Sequence, residues 1–174
     1  TIGEEGVPFP TPPYTINITI IDVTELWAWE IKLYFDDTIL NCTPGWVKYP
    51  ADHVFAGQTI VPLTAVVEED MLGRYVGFGC SLQWPAEPVS TARGTLCQIN
   101  FTGIAVGTSD LTFSTPLGAD TYLLGPTAFD DIAFTVTDGE ITVIPELPTP
   151  AIMPILVILT FVTAILARRK WSRP

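Results

Sequence analysis

The sequence predicts an all-β sandwich followed by one C-terminal helix of transmembrane type. Several segments before residue 145 alternate apolar and polar side chains with period two. Glycine, proline or aspartate separates them, and no amphipathic helical stripe occurs before residue 150. Eight or nine short strands without intervening helices bury their apolar faces by packing one sheet on another.

Residues 1–13, Thr-Ile-Gly-Glu-Glu-Gly-Val-Pro-Phe-Pro-Thr-Pro-Pro, are rich in proline and glycine and read as an extended arm. The span 14–144 forms the sandwich. From Tyr14 to Val23, Ile16, Ile18 and Ile20 share one face, with Thr15, Asn17 and Thr19 on the other. Trp27, Trp29, Ile31, Leu33 and Phe35 then alternate with Ala28, Glu30, Lys32 and Tyr34, which predicts a central strand with a large apolar face. Val76, Phe78, Cys80 and Leu82 form another such set, as do Cys97, Ile99 and Phe101 opposite Gln98 and Asn100. Shorter strands are predicted at Ile60–Val67, Leu111–Phe113, Ala133–Val136 and Glu140–Ile144.

Residues 145–150 are a proline-rich linker, and 151–167 an uncharged apolar run. As a helix, those 17 residues would span about 25 Å, slightly short of a hydrocarbon core of about 30 Å. A buried core helix is the competing reading, but the run is apolar all round. Residues 168–174 form a basic end in which Arg168, Arg169, Lys170 and Arg173 fit a cytoplasmic flank, so the preceding residues are expected outside the cell. No secretory signal is visible at Thr1, and export is expected to have used a leader removed or trimmed before it.

Charge sharpens that topology. Four basic and nineteen acidic residues precede the apolar run, a balance of −15; the basic end adds four and gives the formal −11. Such a surface excludes nucleic acid, which requires a positive field to displace phosphate counterions. All three asparagines head glycosylation sequons: Asn17-Ile-Thr19, Asn41-Cys-Thr43 and Asn100-Phe-Thr102. Strand residues in a threonine-rich β protein are the alternative. Cys42, Cys80 and Cys97 all point inward on alternation and allow one bridge, leaving a buried thiol, with the pairing open.

The segment Leu26-Trp-Ala-Trp-Glu-Ile-Lys-Leu-Tyr-Phe-Asp-Asp-Thr-Ile-Leu40 resembles the signature of cohesin domains, in which an alternating aromatic strand runs into Tyr-Asp-Pro and a Val-Leu pair. Gly94-Thr-Leu-Cys-Gln-Ile-Asn-Phe101 and Thr135-Val-Thr-Asp-Gly-Glu-Ile-Thr-Val143 resemble that family's late strands. The resemblance covers 14–144 and implies a nine-stranded jelly-roll β-sandwich of the carbohydrate-binding domain superfamily, used for docking rather than chemistry. Phe35-Asp36-Asp37 departs from Tyr-Asp-Pro, and no residue identifies a dockerin-binding face. Pro145-Glu146-Leu147-Pro148, before the apolar run and Arg-Arg-Lys, is similar to archaeal Pro-Glu-Phe sorting tails, with Leu147 in place of Phe. An ordinary single-pass anchor is the other reading.

No Gly-x-Ser-x-Gly elbow, P-loop or His-Glu-x-x-His motif occurs, and the single histidine, His53, cannot form a triad or metal cluster alone. An enzyme is not expected. No cofactor is certain, and calcium is the one the loops suit, with Asp36, Asp37, Asp130 and Asp131 as candidate ligands. Glu68, Glu69 and Asp70 form another acidic loop cluster, and none has EF-hand spacing. Trp46, Tyr49 and Trp84 either stack on sugars or close the sandwich ends. The leading functional reading is a surface-anchored binding or adhesion module with a protein or glycan partner. The alternative is a structural subunit of a filament or layer, its 1–13 arm added to a neighbour's sheet edge.

Overall fold

The structure is a computed structural model that describes residues 13–114, 121–127 and 131–144. The tail from Pro145 to Pro174 lies outside the described residues. Among the described residues no helix is long and apolar enough to cross a membrane.

The strands, in chain order, are β1 (Tyr14–Leu26), β2 (Ala28–Phe35), β3 (Leu40–Asn41), β4 (Val47–Lys48), β5 (Ile60–Pro62), β6 (Val66–Asp70), β7 (Gly73–Leu82), β8 (Val89–Gly103), β9 (Gly107–Phe113), β10 (Tyr122–Leu124) and β11 (Gly139–Val143). They form two sheets. In one, β1 and β3 flank β8, and β4 also pairs with β8. The other runs β11-β9-β2-β7-β5, with β10 beside β2 and β6 beside β7. All the strand pairings are antiparallel.

Among the described residues eleven strand segments stand where nine were expected, and two of the edges are broken. β5 and β6 meet successive stretches of β7, so the predicted strand Ile60–Val67 is two pieces. Pro62 ends the first, having no N–H to donate. β3 and β4 likewise share β8. The predicted strand Ala133–Val136 is a correction: those residues have no ladder partner. Their alternation is strand-like, but the ladder beside β9 is taken by β11. β10 was not anticipated.

The chain passes between sheets within a few residues. Asp22 and Glu25 adopt positive φ values of 52° and 54°, and the β1–β8 register shifts between Val23 and Leu26. Leu26 is fully buried, and Trp27 already belongs to the other sheet: its N–H donates to the Leu124 carbonyl at 2.8 Å, and its carbonyl accepts from Leu82 N–H at 2.9 Å.

The inward sets read from alternation fill the interior. Trp29, Ile31, Leu33 and Phe35 of β2 are buried, with Ile18 and Ile20 of β1, Val76, Phe78, Cys80 and Leu82 of β7, and Cys97, Ile99 and Phe101 of β8. Phe35 meets Phe101 edge to face across the two sheets, centroids 5.2 Å apart. Trp29 packs edge-on against Tyr49 and Phe78, which stack on each other at 4.6 Å.

Candidate binding face

The outward side of the larger sheet is built by the alternation that fills the core. Buried Trp29, Ile31, Leu33 and Phe35 force Glu30, Lys32 and Tyr34 to the opposite face. Register places Tyr75 opposite Tyr34 on one side and Tyr122 opposite Glu30 on the other; Glu68 follows opposite Tyr75.

Three tyrosines each donate a phenolic hydrogen to a carboxylate there. Tyr34 bonds Asp70 Oδ2 at 2.9 Å, Tyr75 bonds Glu68 Oε2 at 2.9 Å, and Tyr122 bonds Glu30 Oε2. Lys32 lies among them, its side chain only 12% exposed, with Nζ 2.8 Å from Asp70 Oδ2 and 4.1 Å from the Tyr75 ring centroid. The Tyr34 and Tyr75 rings meet edge to face at 5.8 Å. Hydrogen bonding from Lys32, then from Leu72 N–H, lowers the Asp70 pKa to about 2. Hydrogen bonding to Glu68 raises that of Tyr75. The result is a set of aromatic rings held in place by charged partners.

On this face Lys32 and Glu30 stand opposite glycines. Lys32 pairs with Gly77 and Glu30 with Gly79. A Cβ at Gly79 would lie 2.5 Å from the Trp29 carbonyl oxygen and 2.9 Å from Glu30 Cα. A Cβ at Gly77 would meet only side-chain atoms, the nearest being Val66 Cγ2 at 2.8 Å.

The sequence-predicted residues are distributed elsewhere. Asn17 pairs with Gln98, Asn100 with Thr15 and Asn41 with Thr102, so the three sequon asparagines share the outward face of the smaller sheet. Thr15 Oγ1 donates to Asn100 Oδ1 at 2.8 Å.

Cys42, Cys80 and Cys97 are buried and free in this structure. Cys80 and Cys97 stand on strands of opposite sheets. Burial raises the Cys42 pKa to about 11 and that of Cys80 to about 12, and raises Cys97 as well. Trp29 Nε1 is buried with no hydrogen-bond partner among the described residues.

Among the calcium candidates, Asp36 caps its own turn, Oδ1 accepting from Thr38 N–H at 2.9 Å and Thr38 Oγ1 at 2.6 Å. Asp37 is exposed beside it; Asp131 bridges Leu124, and Asp130 lies outside the described residues. Among the described residues no three potential ligands converge on a metal position. Pro145, Glu146, Leu147, Pro148, Arg168, Arg169, Lys170 and Arg173 also lie outside them.

His53 Nδ1 accepts from Phe55 N–H at 3.3 Å, its ring tilts against Tyr49, and burial lowers its pKa against the opposing pull of Asp52. Tyr49 is a core residue whose hydroxyl donates to the Gly79 carbonyl at 2.7 Å; Trp46 also packs on the core, whereas Trp84 is 82% exposed. Sequence alternation located Glu30, Lys32 and Tyr34 on the outer face. It could not supply Tyr75, Tyr122, Glu68 and Asp70, which come from other strands.

No family model matches the chain, and no curated protein matches its sequence. Solved structures do resemble it. The third cohesin of ScaC from Acetivibrio cellulolyticus, solved in complex with the ScaB dockerin, shares 15% identity at a TM-score of 0.56, over 76% of this chain and 90% of that one. The seventh ScaB type I cohesin from Pseudobacteroides cellulosolvens shares 18% at 0.52, over 79% and 86%. CaCohA2 from Clostridium acetobutylicum shares 18% at 0.54, over 78% and 84%. The fold is a cohesin-like β-sandwich.

Proposed function

We propose that this chain is a non-catalytic, cohesin-like binding module of an archaeal cell surface, which presents the outer face of its larger sheet to a protein or glycan partner. The observation that carries the reading is the set of three tyrosine–carboxylate pairs around Lys32. Rings already immobilised lose little side-chain freedom on binding, which favours their use as contact surface. The fold supports a docking role, and the ScaC cohesin is itself described with a dockerin. The face is acidic at its rim, which suits a partner bearing basic groups.

The location rests on the tail. Residues 151–167 act as a single-pass anchor with Arg168, Arg169, Lys170 and Arg173 in the cytoplasm; processing at Pro145–Pro148 is the alternative fate of this tail. The jelly-roll topology, glycans on Asn17, Asn41 and Asn100, and calcium in the loops belong to the same reading.

The test compares full-length protein with the double variant Tyr34→Ala/Tyr75→Ala on a glycan array, with and without calcium, and on cell-surface extracts probed by cross-linking. A protein or sugar held by the parent and lost at least tenfold by the variant supports the proposed face. Equal capture by both places the contact elsewhere and sinks the assignment.

A further inference from the structure

Among the described residues the smaller sheet ends on β1, with no strand on its outer side. Nearby runs the stretch 133–137, which enters no ladder and makes no backbone hydrogen bond, although Ile132 N–H still reaches the Leu123 carbonyl. Between them lies a groove of about 700 Å³, walled by Ile18, Ile20, Leu96, Leu123, Phe134 and Val136. The first four are buried core residues, while Phe134 at the rim is 38% exposed. An apolar slot bordered by unpaired backbone is the arrangement that accepts an added strand.

The arm carries a segment shaped for such a place. In Val7-Pro8-Phe9-Pro10-Thr11-Pro12, prolines occupy every second position. Successive residues of a strand direct their backbone polar groups to opposite lateral sides and their side chains to opposite faces. Val7, Phe9 and Thr11 therefore keep N–H and C=O along one side with their side chains on one face. The missing proline donors all fall on the other side. This segment can pair on one edge only, and its apolar Val7 and Phe9 would point together toward the groove.

The same prolines disfavour insertion into the sandwich that carries them. To lie beside its own β1, the segment must reverse direction before Tyr14. Val7, Phe9, Thr11 and Pro12 each precede a proline, which disfavours the helical backbone region that a tight turn requires. In extended polyproline geometry a segment of that length would reach about 20 Å, at roughly 3.1 Å per residue. We infer that the groove beside β1 receives the Val7–Thr11 segment of a second copy of this chain. Donor and acceptor surfaces differ, so the contact is head to tail and propagates into open-ended chains. This contact is separate from the tyrosine face, and either can hold without the other.

The test uses the full chain in detergent, with Phe9→Asp to disable the donor and Phe134→Asp to disable the acceptor rim. Sedimentation should show concentration-dependent assembly for the parent and monomers for each variant alone. Mixing the variants should give dimers that grow no further, since one supplies only a groove and the other only an arm. Unchanged circular dichroism in both variants establishes folding. Amide exchange adds a second readout: a peptide of residues 5–13 should slow exchange at 18–23 in the Phe9→Asp variant by tenfold or more. Parent protein that stays monomeric, Phe9→Asp protein that assembles as the parent does, or no peptide protection would overturn the inference. So would a monomeric parent whose β1 edge is already protected and loses that protection on Phe9→Asp, since its own arm would then fill the groove.

Discussion

Gly77 and Gly79 stand on the same face of β7, two residues apart, and the structure assigns opposite consequences to the same added methyl group. At Gly79 the new Cβ would stand 2.5 Å from the Trp29 carbonyl oxygen and 2.9 Å from Glu30 Cα. Both are backbone atoms of β2, so relief requires moving two paired strands. Overpacking costs about 1–3 kcal/mol, and a backbone clash belongs at the upper end, about 3 kcal/mol. At Gly77 the closest atom is Val66 Cγ2, on the edge strand β6, which a small rotation clears. Alanine also restricts the unfolded chain, worth about 0.5–1 kcal/mol relative to glycine. Gly77→Ala should therefore fall within about 0.5 kcal/mol of the parent, or above it. Urea unfolding at neutral pH followed by tryptophan fluorescence reads both values, with equal slopes confirming comparable unfolded states. The thermal midpoint of Gly79→Ala should drop by about 6 to 12 °C, at roughly 2–4 °C per kcal/mol. A Gly79→Ala protein as stable as the parent, or a Gly77→Ala protein that is the less stable of the two, would refute the packing of β2 on β7.

Four further outcomes follow from the same structure. The three cysteines should resist an aromatic disulfide reagent at pH 8 in the folded protein and yield three thiols per chain once unfolded; a yield of one would mean that a bridge forms. Their raised pKa values mean that the unfolded state ionises first, so stability should begin to fall above about pH 9 and continue falling toward about pH 12, where Cys80 titrates. Asp70 works in the opposite sense: its pKa falls from 3.8 to about 2 on folding, so its contribution is complete above about pH 5 and is lost as pH falls through 4 toward 2. Asp70→Asn should flatten that part of the acid-unfolding curve, and an unaltered curve would contradict the pairing with Lys32. Glu25, at φ 54°, occupies a region costing about 1–2 kcal/mol for a residue with a Cβ. Glu25→Gly should raise stability by about 0.5–1 kcal/mol after the entropy of glycine is counted, and a loss in calorimetry would argue against the turn.

Periodicity disclosed most of the interior because an inward position has one physical demand, apolar bulk. Trp29, Ile31, Leu33 and Phe35 were readable for that reason. The failures have separate causes. Ala133–Val136 carries strand-like alternation, but pairing is decided by neighbouring backbone, and β9 takes Gly139–Val143 instead. The join of β1 to β2 at Leu26 depends on left-handed Asp22 and Glu25, residue types that do not announce such geometry. The binding face was half legible: alternation gave Glu30, Lys32 and Tyr34, while their carboxylate and tyrosine partners lie up to 92 residues away in the chain. Inward cysteines suggest a bridge where the compartment is oxidising. In the fold, Cys42, Cys80 and Cys97 serve as small apolar side chains.

The segregation of the three asparagines to the smaller sheet has an orientational consequence. A glycan is a hydrated, mobile chain, and three on one side would form a steric brush that turns away incoming macromolecules by the entropy they would lose in compressing it. The opposite side of the sandwich would remain the low-resistance approach. A module decorated in this way selects the direction of encounter before any contact forms, and does so without a repulsive charge or a blocking loop. The chemistry of a partner and the direction of its approach would then be set on different sheets, and each could vary while the other is preserved.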